Sequence, residues 1–249
     1  MQQLKGYCKI PVQMARFAIR QKEITPLKLY SYLMLEKSGK FKRNPVNLRS
    51  AAEALNYKTV KSIENNLARL EQLNWIVYSP KMRGYYIRSF ERIREIRNWT
   101  SPTAVELSKT ELPYFHEFVY CSVLCYEAMR WIKYAKRGDG SMTELIKHGS
   151  STSSARLPRF APISCVESAR RLNISHETAQ LYKNLGAKRG YLELMPQIEE
   201  LKLPPGHYYE AAENLDCDQK HVLVRDRQLV IRSVDLVRPK MVFLSRKKI

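Results

Sequence analysis

The fold is decided by the stretch from Val46 to Arg88, which reads VNLRSAAEALNYKTVKSIENNLARLEQLNWIVYSPKMRGYYIR. Residues 46–55 have the composition of a short helix, 56–59 form a turn, and 60–73 have the spacing of a second helix. The remaining residues alternate as two short apolar strands on either side of a basic Pro- and Gly-containing tip. The stretch therefore predicts a helix, a turn, a second helix and a β-hairpin, in that order.

The second predicted helix has one apolar side and one polar side. Its apolar residues recur every three or four positions and must pack against the preceding helix; they are Val60, Ile63, Leu67, Leu70 and Leu73. The opposite side carries Lys61, Asn65, Arg69 and Gln72. A polar face on a single helix usually indicates only that this face is exposed to solvent. Here the hairpin that follows the helix and the charge of the chain favour a binding role for the polar face.

The chain is strongly basic, and its charge is uneven. It contains 43 Lys and Arg against 24 Asp and Glu, with a net charge of +19 and a pI near 9.8. Residues 1–98 hold 20 of the basic and 7 of the acidic side chains, whereas 99–249 hold 23 and 17. Such a field attracts polyanions, most commonly nucleic acid, although a basic ribosomal or membrane-surface protein has a similar composition.

The second half of the chain partly repeats the first. Residues 163–173 (ISCVESARRLN) resemble 47–56 (NLRSAAEALN), since both end in Ala-x-x-Leu-Asn, and both precede a predicted helix. Chance similarity between two helix pairs is the alternative. With 249 residues, the chain is long enough for two domains. We predict domains at 1–90 and 103–249, joined by a connector at 91–102.

Two segments of the second domain are distinctive. The composition of residues 138–161 predicts a flexible loop, or a basic arm that orders on DNA through Lys147, Arg156 and Arg159. Short β-branched runs at 221–225, 228–234 and 240–244 predict strands, with a two-residue hairpin connection at 226–227. These strands could form an enlarged wing of the second domain or a small sheet of their own.

The helix, turn, helix and hairpin resemble the winged helix-turn-helix of bacterial DNA-binding proteins. The similarity lies in Thr59-Val60-x-x-Ile63, followed by Leu67-x-x-Leu70-Glu-x-Leu73-Asn-Trp-Ile76. A glycine often stands in that family where Asn74 stands here, and Asn adopts the left-handed conformation next most readily. The segments 9–11 (KIP) and 24–30 (ITPLKLY) are similar to the start of winged-helix domains in plasmid and phage replication proteins. The resemblance implies an α+β, mostly helical fold with two tandem winged-helix domains, as in plasmid replication initiators.

A winged-helix protein reads duplex DNA by placing its recognition helix, here 59–74, in the major groove. Thr59, Ser62 and Asn65 are the candidates for base contacts, because they lie on the N-terminal turns of that helix. The remaining candidates of the first domain would contact phosphates or, from the wing at 79–88, the backbone and minor groove; they are Arg49, Ser50, Lys58, Lys61, Arg69, Lys81, Arg83 and Arg88. The corresponding candidates of the second domain are Ser175, His176, Thr178, Lys183, Lys188 and Arg189.

The expected function is sequence-specific binding of double-stranded DNA, to regulate transcription or to initiate replication of a plasmid or phage. The alternative is a winged-helix module that binds other proteins without reading DNA. Catalysis is not expected, since the chain has neither a Gly-x-x-x-x-Gly-Lys loop nor a His-x-His pair, and no cofactor is predicted. A homodimer is left open, and the expected location is the bacterial cytoplasm, on the nucleoid, without membrane contact.

Five cysteines are scattered along the chain. Cys121 and Cys125 stand four residues apart on a predicted helix and share one face, as small core residues do. A metal site would need further Cys or His residues at ligand spacing, and His116 is the nearest candidate. We therefore expect reduced, buried thiols and no metal.

Overall fold

The computed structural model describes residues 6–36, 39–136, 160–195, 198–200, 221–225, 228–232 and 235–245. This part of the chain contains eight α-helices and four small antiparallel sheets, so the fold is α+β with more residues in helices than in strands. The first half contains β1 (Tyr7–Pro11), α1 (Val12–Arg20), α2 (Ile24–Glu36), β2 (Lys40–Lys42), α3 (Pro45–Ala54), α4 (Val60–Gln72), β3 (Ile76–Ser79), β4 (Gly84–Ile87) and α5 (Phe90–Ile96).

The second half begins at β5 (Thr103–Ser108) and a 3₁₀ turn (Lys109–Tyr114). It continues with α6 (Phe115–Lys136), β6 (Ala161–Pro162), α7 (Cys165–Leu172), α8 (His176–Lys188), β7 (Leu192–Met195), β8 (Ile198–Glu200), β9 (His221–Arg225), β10 (Gln228–Arg232), β11 (Leu236–Pro239) and β12 (Phe243–Ser245).

The two halves contain units with the same order of elements. We call α2 to β4 the N-terminal unit and α6 to β11 the C-terminal unit. Each has a helix, a strand, two helices and two further strands, and the third strand of each lies in the middle of its sheet: β2–β4–β3 in one, β6–β11–β7 in the other. The C-terminal unit differs in an insertion between β7 and β11, which contains a separate sheet of order β8–β10–β9.

A third sheet and a pair of helices join the units. Strand β5 pairs with β1 on one side, placing Glu106 opposite Lys9, and with β12 on the other. Helix α1 packs against α6, and Arg16 of α1 donates a 2.9 Å hydrogen bond to Glu127 of α6. The apolar face of α1 is buried at Val12, Met14, Ala15, Ala18 and Ile19.

The core of the N-terminal unit is centred on Trp75, which is fully buried. Its ring lies 6.1 Å from Phe17 and 5.6 Å from Tyr30, in tilted and edge-to-face geometries that are favourable for aromatic pairs. The Tyr30 hydroxyl donates a 2.5 Å hydrogen bond to the carbonyl oxygen of Arg88, where the hairpin ends. Trp75 follows Asn74, whose φ of 61° confirms the predicted left-handed conformation after α4.

Several sequence-based boundaries need correction. The sequence Thr25-Pro26 predicts a helix with Pro26 as its first residue, but helix α2 begins at Ile24 and Pro26 is its third residue. Residues 37–43 have the composition of a basic loop, but 40–42 form strand β2, because Phe41 is buried and pairs with Tyr85. The apolar residues after Leu112 predict a long helix to Lys136, which begins with a 3₁₀ turn and becomes α-helical only at Phe115. The predicted loop 138–161 lies outside the described residues except at its end, where Ala161 belongs to β6.

The strands of the C-terminal half also differ from expectation. The paired strands β9 and β10 agree with the predicted hairpin, whose connection at 226–227 lies outside the described residues. A separate strand, β11, runs from Leu236 to Pro239, where no strand was predicted. The connector predicted at 91–102 contains most of α5, which buries Phe90 and Ile93 against the core.

Glycine commonly ends a helix, and Gly186 predicts such an end for α8, but the helix continues to Lys188. The role of Gly186 is to let α8 approach α6 closely: a Cβ atom at this position would lie 2.0 Å from Cys121 Sγ. Gly84 similarly allows β4 to approach β2, since a Cβ there would lie 2.3 Å from the carbonyl oxygen of Phe41. Both glycines are therefore required by packing.

Candidate nucleic-acid interface

The N-terminus of α4 is defined by its capping residue. Thr59 has an extended backbone (φ −142°, ψ 149°), and its side chain accepts a 3.3 Å hydrogen bond from the backbone N–H of Ser62. The two hydroxyl groups of Thr59 and Ser62 lie 3.0 Å apart. Thr and Ser are favoured at this position because their oxygen satisfies an N–H group that has no partner within the helix. This cap fixes where the polar face of α4 begins.

The polar face of α4 is exposed as predicted. Lys58, Thr59, Lys61 and Asn65 are exposed, and Ser62 is half-buried because it is bound to Thr59. On the opposite face Ile63, Leu67 and Leu70 are buried, with Val60 and Leu73 completing the predicted apolar stripe. Lys58 and Lys61 form no ion pair within the described part of the chain, so their ammonium groups are available to an anion.

Helix α3 presents a second cation beside this face. Asn44 caps α3 by accepting a 2.8 Å hydrogen bond from the backbone N–H of Asn47. Arg49 and Ser50 are exposed in the following turn, and Arg49 has no carboxylate partner among the described residues. They are the fifth and sixth residues of α3, beyond the first turn where the helix dipole acts, so a phosphate here would be attracted by the Arg49 guanidinium itself.

The tip of the β3–β4 hairpin is also basic. Backbone hydrogen bonds from Met82 to Ser79 (3.2 Å) and from Arg83 to Pro80 (3.1 Å) close the turn. Lys81 and Arg83 are exposed at this tip, and Arg83 adopts a positive φ of 49°. Side chains alternate along a strand, which predicts that one of the two adjacent tyrosines faces the core and the other solvent. Tyr85 is accordingly 4% exposed and Tyr86 45% exposed.

Two predicted phosphate contacts face other parts of the protein. The Arg69 guanidinium binds the buried carboxylate of Glu23, with Nε 2.7 Å from Oε1, and this pairing raises the pKa of Arg69. Arg88 donates a 3.0 Å hydrogen bond to the side chain of Asn74 and is half-buried. The structure thus engages Arg69 and Arg88 in contacts within the protein, whereas Arg49, Lys58, Lys61, Lys81 and Arg83 have no carboxylate partner among the described residues.

In the C-terminal unit, α8 begins in the same way as α4. Ser175 caps it by accepting a 3.1 Å hydrogen bond from the backbone N–H of Thr178, and the two hydroxyl groups lie 3.0 Å apart. Thr178 and His176 are half-buried. At the other end of α8, Lys188 is exposed, while the Arg189 guanidinium lies 3.3 Å from the centre of the Tyr114 ring. The predicted residues of this unit therefore lie at both ends of α8 and do not form one cluster.

The prediction that Lys183 binds DNA is wrong, because its side chain is buried. Only 1% of the residue is exposed, and Nζ lies 2.9 Å from Oδ2 of Asp235, which is itself 7% exposed. The ammonium group also donates a 3.3 Å hydrogen bond to the carbonyl oxygen of Ile163. Lys183 thus joins α8 to the residues that precede α7 and β11, and it cannot contact a macromolecule.

Lys42 is a further exposed cation, which was not among the residues predicted to bind DNA. Lys42 is exposed and lies opposite Gly84 in the β2–β4 pairing, next to Arg83 at the hairpin tip. The alternation Lys40-Phe41-Lys42 is a strand signal, with an apolar residue between two polar ones, and could have identified it. Lys40, on the same face, lies 5.7 Å from the centre of the Tyr86 ring.

The cysteines are core residues in the described part of the chain. Cys8, Cys121, Cys125 and Cys165 are buried and form no disulfide bond with one another, and Cys217 lies outside the described residues. Burial raises the pKa of Cys8 and of Cys125 to about 12, because an apolar environment disfavours the thiolate. Among the described residues, no group of three or more His, Cys, Asp or Glu side chains is arranged to hold a metal ion.

No helix in the described part of the chain is both long and apolar enough to cross a bilayer. Comparison of the whole sequence with protein-family models, with curated proteins and with solved structures gave no significant match.

Proposed function

We propose that the protein binds double-stranded DNA through its N-terminal unit, and that both units are winged-helix domains. The observation that carries this proposal is a set of exposed cations that have no carboxylate partner among the described residues. Arg49 lies on α3, Lys58 and Lys61 flank the cap of α4, and Lys81 and Arg83 lie at the hairpin tip. Exposed, unpaired cations of this kind neutralise the phosphates of DNA and position a protein on the duplex.

In this proposal α4 enters the major groove with its N-terminal turns. Asn65 is exposed and its amide can pair with adenine, which offers one donor and one acceptor in that groove. The hydroxyl groups of Thr59 and Ser62 are hydrogen-bonded to each other. Only one of the two hydroxyl hydrogens is used in that bond, so the other is free to donate to a base. Arg83 and Lys81 would reach the backbone or the narrower minor groove beside the site.

The arrangement of units supports a role at a defined DNA site. Two units of the same element order, joined by the β1–β5 pairing, resemble the arrangement of plasmid and phage replication initiators. We therefore propose that the protein acts on the DNA of a mobile element, either as a transcription regulator or as an initiator of replication. The competing function is a protein-docking module that does not read DNA. It predicts no salt-dependent affinity for duplex DNA.

We expect the affinity for duplex DNA to fall steeply as salt increases. Each neutralised phosphate contributes a slope of about −0.9 in log K against log salt concentration, so five cations predict a slope of about −4 to −5. Fluorescence anisotropy with a labelled duplex of about 25 base pairs, titrated at several salt concentrations, measures this slope. Absence of binding at low salt, or a slope near zero, would contradict the proposal.

A further inference from the structure

The two units can be compared residue by residue, because their helix pairs begin and end in the same way. Asn56 and Asn173 follow α3 and α7, and both have φ of 55°. Thr59 and Ser175 cap α4 and α8 with the same hydrogen bond to the third helical residue. Counting from these matched positions, buried Ala52 and Leu55 correspond to buried Ala169 and Leu172. The exposed positions can therefore be matched as well.

The exposed positions differ in chemistry. Arg49 and Ser50 of the N-terminal unit correspond to Val166 and Glu167 of the C-terminal unit. Lys61 and Asn65 correspond to Glu177 and Leu181. The basic and polar positions of the first face are thus occupied by two acidic and two apolar residues in the second. We call Val166, Glu167, Glu177 and Leu181, together with Arg170, the α7–α8 face.

The apolar residues of this face are well exposed. Val166 is 58% exposed and Leu181 is 54% exposed, among the largest values for apolar side chains in the described part of the chain. Leaving two aliphatic side chains in water forfeits the free energy that their burial would release. Each stands next in sequence to a residue of the 3.0 Å contact between Cys165 of α7 and Gln180 of α8. Exposed apolar residues with polar residues around them are typical of protein-interaction surfaces.

The first turn of α8 is unsuited to a DNA phosphate. The carboxylate of Glu177 hydrogen-bonds to the backbone at the start of the helix and to Ser175, and these bonds lower its pKa. The partial positive charge of this helix N-terminus is therefore already compensated by a side chain of the protein. In α4 the first turn contains no acidic residue and is flanked by Lys58 and Lys61. The two faces consequently favour different partners.

The charges of the α7–α8 face are nearly balanced within the face. Glu167 accepts two 2.8 Å hydrogen bonds from Arg170 and one 2.5 Å bond from Arg171. This cluster retains one net positive charge, on arginines that are largely exposed, while Glu177 supplies a negative charge across the α7–α8 turn. A face that carries both signs beside apolar residues can be complementary to its own copy, because in a two-fold contact a residue that meets an oppositely charged residue of the partner has the same pairing repeated on the other side of the axis.

We infer that the α7–α8 face of the C-terminal unit binds a second copy of this chain. The net charge of +19 makes two copies repel each other over most of their surface, and this balanced face is a place where they can approach without that penalty. Val166 and Leu181 are buried in the contact, and Arg170 of each copy faces Glu177 of the other. The inference rests on the proposed function only in that the cations of the N-terminal unit are assigned to DNA. Self-association of the chain is measured without DNA.

The test uses substitutions that the N-terminal unit already tolerates. Val166→Arg with Leu181→Asn places the residues of positions 49 and 65 on α7 and α8, which have the same caps and buried faces as α3 and α4. The matched control is Val242→Arg, which changes an apolar residue that is 63% exposed between β11 and β12. Sedimentation velocity of the full-length chain at about 1 to 100 µM measures dimer formation in the range expected of a small interface.

We expect wild type and Val242→Arg to dimerise, and the double variant to weaken the dimer at least tenfold. Arg170→Glu should weaken it as well, and adding Glu177→Lys to Arg170→Glu should restore it, because the exchanged charges again face each other. A wild type that stays monomeric throughout this range overturns the inference, as does equal dimerisation of all variants. A more stable dimer of the double variant would also overturn the inference. The affinity for DNA, measured at protein concentrations well below those at which the chain dimerises, reports separately on the proposed function.

Discussion

Replacing Lys58 and Lys61 together by glutamate is expected to lower the affinity for duplex DNA at least a hundredfold. Both side chains are exposed at the start of α4 and form no ion pair within the described residues. Each lost contact costs about 1–3 kcal/mol, and each new carboxylate repels a phosphate in addition. The free energy of unfolding should change little, since neither residue packs in the core. Anisotropy at fixed low salt, together with urea unfolding, measures the two quantities.

The matched control for this variant is Lys9→Glu with Lys133→Glu. It makes the same change in net charge with two exposed lysines on β1 and α6. We expect this control to lose affinity by less than about tenfold, through the long-range field alone. If the two double variants lost affinity equally, the binding would depend on net charge and not on α4, and the assignment of the interface would be wrong.

Lys183→Ala is expected to destabilise the protein by about 3–5 kcal/mol, the largest loss we predict for a polar side chain here. The substitution leaves the carboxylate of Asp235 buried without the ammonium group that lies 2.9 Å from it, and it removes a hydrogen bond to Ile163. Urea unfolding, followed by circular dichroism, measures the loss as a lower midpoint. The exposed Lys188→Ala serves as the control and should change the midpoint little.

Replacing both members of this pair should restore most of the stability. Lys183 corresponds in α8 to Leu67 in α4, which is fully buried, so a leucine fits this position of the helix pair. Lys183→Leu with Asp235→Val removes both charges and leaves apolar groups in a buried site, a change that is often neutral. A double variant as unstable as Lys183→Ala would show that the site depends on its other hydrogen bonds and not on charge pairing.

The helix pair and hairpin could be predicted because their signals are local. The apolar stripe of α4, the cap at Thr59, the left-handed Asn74 and the alternation of Tyr85 and Tyr86 depend on residues a few positions apart. Periodicity and turn chemistry describe such features directly. The α+β class follows from the same signals.

The features that could not be predicted depend on contacts distant in the sequence. The local sequence predicts a surface lysine at Lys183. Its burial depends on the ion pair with Asp235, which is 52 residues away in the sequence. Gly186 resembles a helix terminator until Cys121 of α6 is found against it. Strand β6 has only two residues, too few for periodicity to detect. The sequence repeat could have predicted the burial of Lys183, because Lys183 corresponds to Leu67, an apolar position of α4.

The pairing partners of Arg69 and Arg88 were hidden for the same reason. Arg69 is on the polar side of α4, as periodicity predicts, but Glu23 of the turn between α1 and α2 lies beside it. Composition therefore overestimates how many cations are free to bind DNA. Only a structure separates cations that have a carboxylate partner from those that do not.

The central claim, that α4 of the N-terminal unit reads duplex DNA, is tested most directly by selecting bound sequences from random duplexes with wild type and with Asn65→Ala. We predict that wild type enriches a defined site. Asn65→Ala should lose discrimination at one base pair of that site, by about 1–3 kcal/mol, while the flanking preferences remain. The claim would be contradicted if the wild type recovered all sequences in equal proportion. It would also be contradicted if the selected site were unchanged both with Asn65→Ala and with the charge reversal of Lys58 and Lys61 to glutamate.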